Sequence, residues 1–408
     1  MNAPAPPFTD IAWLERHVQH TMAFYYPRCV DSGGGHFHFY LDDGTVYDAG
    51  TRHLVSSTRF VVNFARMGVY FKRPELVAEA ERGLAYLAAA HHQPATGGWA
   101  WLLRDGKVID ATNHGYGLAF VILAQAEALK AGLASARNGL DGALALLDAR
   151  YWLPDRGLIV DEYNADFSVL SPYRGQNANM HLCEAMIAAF EATGEDAHLD
   201  RALRIADAVT RGLATQGDGP TQGLVWEHYT PDWRIDWQYN LDDPRHLFRP
   251  WGFQPGHQTE WAKLLLMLHR YRPDAARVER ARALFDTAWE KSWDNEHGGM
   301  VYGFAPDGTW CDTDKYFWVQ AESFAAAAML AEATGDARYW ASYQRLWDYA
   351  WRHFVDHEHG AWYRILTRDN RKYSTEKSPA GKVDYHTMGA TLDAIHVLKR
   401  LQADGVAP

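Results

Sequence analysis

The segment "EHGGMVYGFAPDG" (Glu296–Gly308) has a form that recurs along the whole chain. A glycine is followed by alternating aromatic or aliphatic and polar residues, and then by a turn rich in Asp, Asn or Gly. This order is typical of a short strand that enters a tight hairpin. Five other segments share it: Ser32–Gly44, Thr96–Gly106, Asp155–Asp166, Thr221–Asp232 and Glu358–Asn370. Their first glycines are 60 to 75 residues apart, which indicates one supersecondary unit repeated six times.

Helical patterns fill the sequence between these hairpins, and they come in pairs. Apolar residues at i, i+3 and i+4 and strong helix formers predict helices over 10–28, 54–71, 74–91, 113–131, 135–150, 177–193, 196–214, 257–271, 274–293, 315–334, 336–355 and 384–403. Each unit therefore has one helix before its hairpin and one after it. The helix after the hairpin is the more apolar of the two, so we expect it to lie in an inner ring.

Six such helix pairs close most simply into an all-α (α/α)6 barrel, or toroid, with six short β-hairpins that connect the helices at one face. An open solenoid is the alternative. No linker-like composition interrupts the period, so residues 1–408 are expected to form a single catalytic domain.

Composition narrows the class of partner. The net charge is −11 and the pI is about 6.0, so neither nucleic acid nor a membrane surface is an expected partner. The first ten residues lack the features of a signal peptide, and the three cysteines have no metal-like spacing, which together favour a cytoplasmic protein. The 17 Trp and 21 Tyr side chains either fill the core or bind the faces of sugars.

Polar residues collect at the predicted starts of the inner helices. If these helices run the same way, their first turns meet at one mouth of the barrel, where helix dipoles favour anionic intermediates. The residues at these starts are Arg52, His53, Asn113, His114, Asn177, His181, His257, Glu260, Lys315, Trp318, Gln320, Glu322, Asp384 and His386. Any one of these histidines taken alone is more commonly a packed core or surface residue.

His257 and Glu260 are the most informative pair. Within "PWGFQPGHQTEW" they could form a helix cap, a metal-ligand pair or an acid–base pair. The H-E-x-x-H pattern of a helical zinc site is absent, so no metal is expected. At i, i+3 the carboxylate can contact the imidazole, fix its tautomer and raise its basicity.

Five motifs together resemble the N-acylglucosamine 2-epimerase superfamily of (α/α)6-barrel sugar isomerases and epimerases. They are "TRHLVSSTRF", "GQNANMHLCEA", "RPWGFQPGHQTEWAKLLL", "KYFWVQAES" and "DYHTMGA". The resemblance implies 1,2-proton transfer through a cis-enediol without a cofactor or metal. The third motif and "NMH" are most similar to members that interconvert D-mannose and D-fructose, and related members act on lyxose.

The resemblance also implies residue roles. His257 and His386 would be the acid–base residues, Glu260 would orient His257, and His181 with Asn177 would bind sugar oxygens and move hydroxyl protons. Arg52 would stabilise the enediolate and Trp318 would stack on the sugar. Further substrate contacts are expected from Gln320, Glu322 and His114. The substrate would be a monosaccharide, and the protein a monomer or homodimer. The alternatives are a sugar 2-epimerase, a glycoside hydrolase and a carbohydrate-binding toroid without catalysis.

Overall fold

The computed structural model describes residues 6–217, 221–246 and 248–408. Within these ranges lie the twelve α-helices that the sequence predicts. They are α1 Ile11–Tyr25, α2 Leu54–Tyr70, α3 Pro74–Tyr86, α4 Gly115–Lys130, α5 Ala136–Leu146, α6 Gln176–Thr193, α7 Asp196–Asp207, α8 Pro255–Tyr271, α9 Ala275–Ser292, α10 Phe317–Thr334, α11 Ala337–His353 and α12 Tyr385–Ala403. Three outer helices end earlier than predicted because α3, α5 and α7 each continue into a single π-helical turn.

The even-numbered helices form a closed inner ring. Each contacts the next one in the series, and α12 contacts α2. The odd-numbered helices pack outside, α1 against α12 and each of the others against the even-numbered helix that precedes it. The core lies between the two rings, where for example Trp347 of α11 stacks on Phe324 of α10 with ring centroids 4.5 Å apart. The predicted (α/α)6 barrel is confirmed.

Eighteen short strands lie in the connections of the described residues. They are β1 Phe39–Leu41, β2 Val46–Asp48, β3 Thr51–His53, β4 His92–Gln93, β5 Gly98–Trp99, β6 Leu102–Arg104, β7 Lys107–Asp110, β8 Asn113–His114, β9 Trp152–Leu153, β10 Leu158–Ile159, β11 Glu162–Tyr163, β12 Arg174–Gly175, β13 His228–Tyr229, β14 Gly303–Phe304, β15 Trp310–Asp312, β16 Lys315–Tyr316, β17 Ile365–Leu366 and β18 Glu376–Ser378.

The strands also pair between units, which the sequence did not predict. A strand just before an inner helix pairs with a strand of the next hairpin in β3–β6, β8–β11, β12–β13 and β16–β17. A single bridge between Phe253 and Phe304 makes the fifth link, and β18 pairs with β1 to close the circle. These six antiparallel links hold the starts of the inner helices around one mouth.

No helix in the described part of the chain combines the length and the apolar character that a bilayer crossing requires.

Candidate functional site

A cavity opens at this mouth, with a volume of about 810 Å³ when the space open to solvent is included. Six of the ten predicted site residues line it: Asn177, His181, His257, Glu260, Trp318 and His386. They come from α6, α8, α10 and α12. Glu260 is the one carboxylic acid among the described residues that line the cavity, and aromatic rings form much of the remaining wall.

Both predicted acid–base histidines lie against Trp318. The centroid of its ring is 5.0 Å from that of His257 and 5.7 Å from that of His386. Gly256 permits this packing, because a Cβ there would lie 2.4 Å from the Trp318 ring. The glycine of the "PGHQ" sequence is therefore explained by the close approach of α8 to Trp318.

The His257 ring is oriented by Glu227. Its Nδ1 lies 2.9 Å from Glu227 Oε2, and Gln176 Nε2 donates to the same oxygen at 2.9 Å. The Gln176 amide is itself oriented by Trp261, whose Nε1 donates to Gln176 Oε1 at 2.7 Å. This arrangement assigns the proton to Nδ1 of His257 and leaves Nε2 free as a base.

The expected pairing of His257 with Glu260 is therefore wrong. Glu260 lies beside His181 instead, with its Oε1 3.8 Å from His181 Nδ1. The reason is that the His257 ring turns toward the hairpin residue before α8, whereas Glu260 projects toward α6. Spacing along one helix permits an i, i+3 contact but does not select it over a partner from another element.

His386 is held in the same way by Glu322. Its Nδ1 lies 2.7 Å from Glu322 Oε1, and Glu322 Oε2 accepts a hydrogen bond from Lys263 Nζ at 2.5 Å. Burial, reinforced by the charge of Arg59, lowers the pKa of His386 well below its usual range, so this imidazole is neutral. Glu322 was expected to contact substrate, but it lies behind His386 and outside the cavity lining.

Glu260 and His181 form a second polar group on the cavity floor. Burial and the nearby charge of Glu322 raise the pKa of Glu260 well above its usual range. Its Oε2 is buried and makes no hydrogen bond to the described residues. His181 Nδ1 lies 3.4 Å from Glu184 Oε2, and burial lowers the pKa of His181 to about 4. A carboxyl group with a raised pKa thus lies beside a neutral imidazole, which suits movement of hydroxyl protons.

Arg52 does not reach the cavity. Its Nη2 donates to Asp31 Oδ2 at 2.5 Å and its Nη1 to Ala49 O at 2.7 Å, because Arg52 lies on strand β3 before the helix begins. Arg59, in the second turn of α2, lines the cavity and is the arginine that sequence reasoning missed. The signal was present in the same motif, since Val55 and Arg59 are one helical turn apart and share the cavity face.

The Arg59 guanidinium is held in place on several sides. It donates to Gly381 O and, at 3.2 Å, to Tyr116 Oη. Its Cζ also lies 4.5 Å from the Phe120 ring centroid and 4.7 Å from that of Tyr385. A cation oriented this way can stabilise negative charge on a substrate oxygen.

Gln320 has a structural role in place of the expected substrate contact. Its Nε2 donates to Met300 O and its Oε1 accepts from Met300 N, both at 2.9 Å. Gln258 makes the same two contacts with Val225 in the preceding unit. Amides in the first turn of an inner helix therefore hold the hairpin that precedes it.

His114 and Asn177 belong to an adjoining cavity. His114 lies there with Nδ1 3.3 Å from Glu162 Oε2, and Arg249 Nη2 donates to the same carboxylate at 2.6 Å. Asn177 and Phe248 line both cavities. The Oδ1 of Asn177 is buried and unpaired among the described residues, so it is available to a hydroxyl group.

Two groups of side chains have ligand atoms close enough to share a cation. They are His181, Glu184 and Glu260, and Glu260, Glu322 and His386, with ligand atoms within 4.8 Å of one another. Lys263 already bonds Glu322, and the Arg59 guanidinium lies near His386. These fixed cations offset the carboxylate charge, so the donor set suits proton sharing better than a divalent ion.

The family model described as N-acylglucosamine 2-epimerase (GlcNAc 2-epimerase) matches residues 35–390. D-mannose isomerase of Marinomonas mediterranea is 52% identical over 393 residues, which cover 96% of this chain and 99% of that protein. A crystal structure of D-mannose isomerase superposes with a TM-score of 0.94 at 52% identity and covers 98% of this chain and 100% of that one. The cellobiose 2-epimerase of Spirochaeta thermophila, at 19% identity and a TM-score of 0.84 over 96% and 98% of the two chains, shares the fold.

Proposed function

The chain belongs to the N-acylglucosamine 2-epimerase family, and we propose that it is a cofactor-independent aldose–ketose isomerase that interconverts D-mannose and D-fructose. The observation that carries the proposal is the pair of histidines against Trp318, each with Nδ1 bonded to a carboxylate. This pairing leaves two Nε2 atoms as bases in a cavity whose wall is largely aromatic and includes the Arg59 guanidinium. The similarity to D-mannose isomerases supports the choice of sugar.

The reaction starts with opening of the sugar ring, in which one histidine takes the proton of the anomeric hydroxyl group at its Nε2 and gives it to the ring oxygen as the bond between C1 and that oxygen breaks. A base on the face of the C2 hydrogen then removes that proton, which is acidic because C2 is adjacent to the aldehyde. The resulting cis-enediol is protonated at C1 to give the ketose. Because removal at C2 and return at C1 occur on one face of a cis-enediol, a single histidine can perform both steps.

Other cavity residues stabilise the intermediate. Arg59 donates to the oxygen on which negative charge develops. Glu260, whose pKa is raised by burial and by the charge of Glu322, and His181 move the hydroxyl proton between O1 and O2. Trp318 stacks on the sugar and Asn177 Oδ1 accepts from a hydroxyl group. The same contacts accommodate D-lyxose and D-xylulose, since lyxose lacks only the C6 group of mannose.

A sugar 2-epimerase is the second candidate, and the presence of two histidines favours it. Epimerisation needs a second base that protonates C2 from the opposite face, and His257 and His386 could supply one base to each face. A glycoside hydrolase needs two facing carboxyl groups. Among the described residues that line the cavity, Glu260 supplies the single carboxyl group.

The test is a time course of D-mannose conversion followed by chromatography of the products. Fructose as the first product supports the proposal, whereas glucose without fructose contradicts it and favours the epimerase. Reaction in D₂O separates catalysis from simple sugar binding, because a binding protein leaves hydrogen at C2 of mannose. The same proposal includes four further properties of the protein. They are a metal-independent reaction, a cytoplasmic location, one catalytic domain over residues 1–408 and a monomeric or homodimeric state.

A further inference from the structure

The turn that leads into α12 has an unfavourable backbone conformation. Val383 has a φ of 32° and Asp384 a φ of 46°, both in the left-handed region that favours glycine. Val383 is β-branched and fully buried, which makes this conformation especially costly. His386 follows two residues later, so this turn determines where the first turn of α12 presents its imidazole.

Three side chains of α2 hold the turn from one side. Ser56 Oγ accepts from Gly381 N at 2.7 Å, Arg59 donates to Gly381 O, and Asn63 Nδ2 donates to Val383 O at 2.8 Å. The three residues are spaced three and four apart, so they share one face of the helix. Of the residues that the structure describes, Asn63 alone bonds the carbonyl of the strained Val383, and it lies outside the cavity lining.

The Asp384 side chain is fixed from other directions. Tyr25 Oη donates to its Oδ2 at 2.5 Å, Thr387 Oγ1 donates to its Oδ1 at 2.8 Å, and Lys382 forms an ion pair with it. The strained peptide between Val383 and Asp384 is thus held at its carbonyl by Asn63 and at the following side chain by these partners. Strain that persists under this many constraints, next to a reactive residue, indicates a positioning role.

We propose that Asn63 is a positioning residue for His386. Its hydrogen bond to Val383 O keeps the turn in the left-handed conformation that places His386 Nδ1 against Glu322 and the opposite ring edge in the cavity. The inference rests on the proposed function, because the proposed function gives His386 its catalytic role. Without the hydrogen bond, Val383 relaxes toward negative φ and the imidazole moves away from Glu322.

The experiment compares Asn63→Ala, Val383→Gly and the double variant. Asn63→Ala is expected to lower kcat for mannose isomerisation about tenfold with KM within about twofold. Glycine adopts positive φ without a Cβ clash, so Val383→Gly in the Asn63→Ala background should restore most of the lost kcat. Val383→Gly alone should keep kcat near the wild-type value and lower Tm, because it removes a buried side chain.

Asn179 provides a matched control. It is also a buried amide at the barrel mouth and bonds both backbone groups of Ile159, whose φ is not positive. If Asn179→Ala lowers kcat, the addition of Val383→Gly should not restore it. If Asn63→Ala does not fold, Asn63→Leu removes the donor while it keeps the volume.

A measurement independent of activity separates this inference from the proposed function. In the proton NMR spectrum, the Nδ1–H signal of His386, assigned by its loss in His386→Gln, should weaken or shift in Asn63→Ala and return in the double variant. The inference is overturned if that signal is unchanged in Asn63→Ala, or if glycine at 383 rescues neither the signal nor kcat. Failure of wild-type protein to isomerise mannose would overturn only the proposed function.

Discussion

His386 Nδ1 lies 2.7 Å from Glu322 Oε1, and both residues are buried. His257, which also lies against Trp318, makes the equivalent contact from its Nδ1 to Glu227 Oε2 at 2.9 Å. The two carboxylates come from different elements, a helix and a hairpin, yet each fixes the tautomer of one imidazole. The site therefore contains two imidazoles, each with its own carboxylate partner.

Glu322→Gln tests the support of His386. The neutral amide accepts a hydrogen bond more weakly and stabilises the imidazolium less, so kcat should fall 10–100-fold. Thermal unfolding followed by circular dichroism shows whether the fold is kept. A kcat within twofold of wild type would mean that Glu322 does not tune this base.

Glu227→Gln tests the support of His257, with Glu260→Gln as the comparison. Glu227→Gln should lower kcat 10–100-fold, because it weakens the contact to His257 Nδ1. Glu260→Gln keeps a hydrogen-bonding group at this position but cannot pass on a proton, so kcat should fall while substrate KM changes less. Initial-rate kinetics on both variants provide the measurement, and a kcat for Glu227→Gln within twofold of wild type would show that Glu227 does not tune His257.

The architecture could be predicted because it depends on local patterns. The regular period of the hairpins and the apolar helices after them predicted the barrel and its mouth. The helix starts and the family motifs predicted six of the residues that line the cavity. The family and the expectation of an isomerase are confirmed by the matches with the N-acylglucosamine 2-epimerase family and the D-mannose isomerases.

The partners of the histidines could not be predicted from these patterns. Glu227 is 30 residues from His257 and reaches it only because a hairpin folds back over the start of α8. Arg52 and Arg59 differ in placement because the helix starts at Leu54, so Arg52 belongs to a strand that faces Asp31. Contacts between elements depend on how those elements pack against each other. The spacing of residues along the sequence does not predict this packing.

The two arginines allow a direct test of which one acts on the substrate. Lysine cannot reproduce the several directed contacts of the Arg59 guanidinium, so Arg59→Lys should lower kcat/KM about 10²–10³-fold. Arg52→Lys should lower Tm and leave kcat/KM within about threefold, because Arg52 bonds Asp31 and backbone oxygens outside the cavity. A large loss of kcat/KM in Arg52→Lys, with little change in Arg59→Lys, would instead assign the enediolate contact to Arg52.

Stability should fall in mild acid because buried histidines near β3 are neutral in the folded protein. Burial lowers the pKa of His91 to about 4 and that of His53 to about 3, whereas the unfolded chain titrates near 6.5. Below pH 6.5 the unfolded state therefore binds more protons than the folded one. Each of these histidines removes about 1.4 kcal/mol of unfolding free energy per pH unit between 6.5 and its folded pKa.

His91→Asn isolates one of these contributions. His91 Nδ1 donates to Ala100 O at 2.9 Å and its Nε2 lies 3.0 Å from Ser57 Oγ, so the substitution lowers stability at every pH. It also removes one titrating group, and the slope of unfolding free energy against pH between 4.5 and 6 should therefore be smaller by about 1.4 kcal/mol per unit. Urea unfolding at a series of pH values measures the slope. An unchanged slope would show that His91 is protonated, or exposed, in the folded protein.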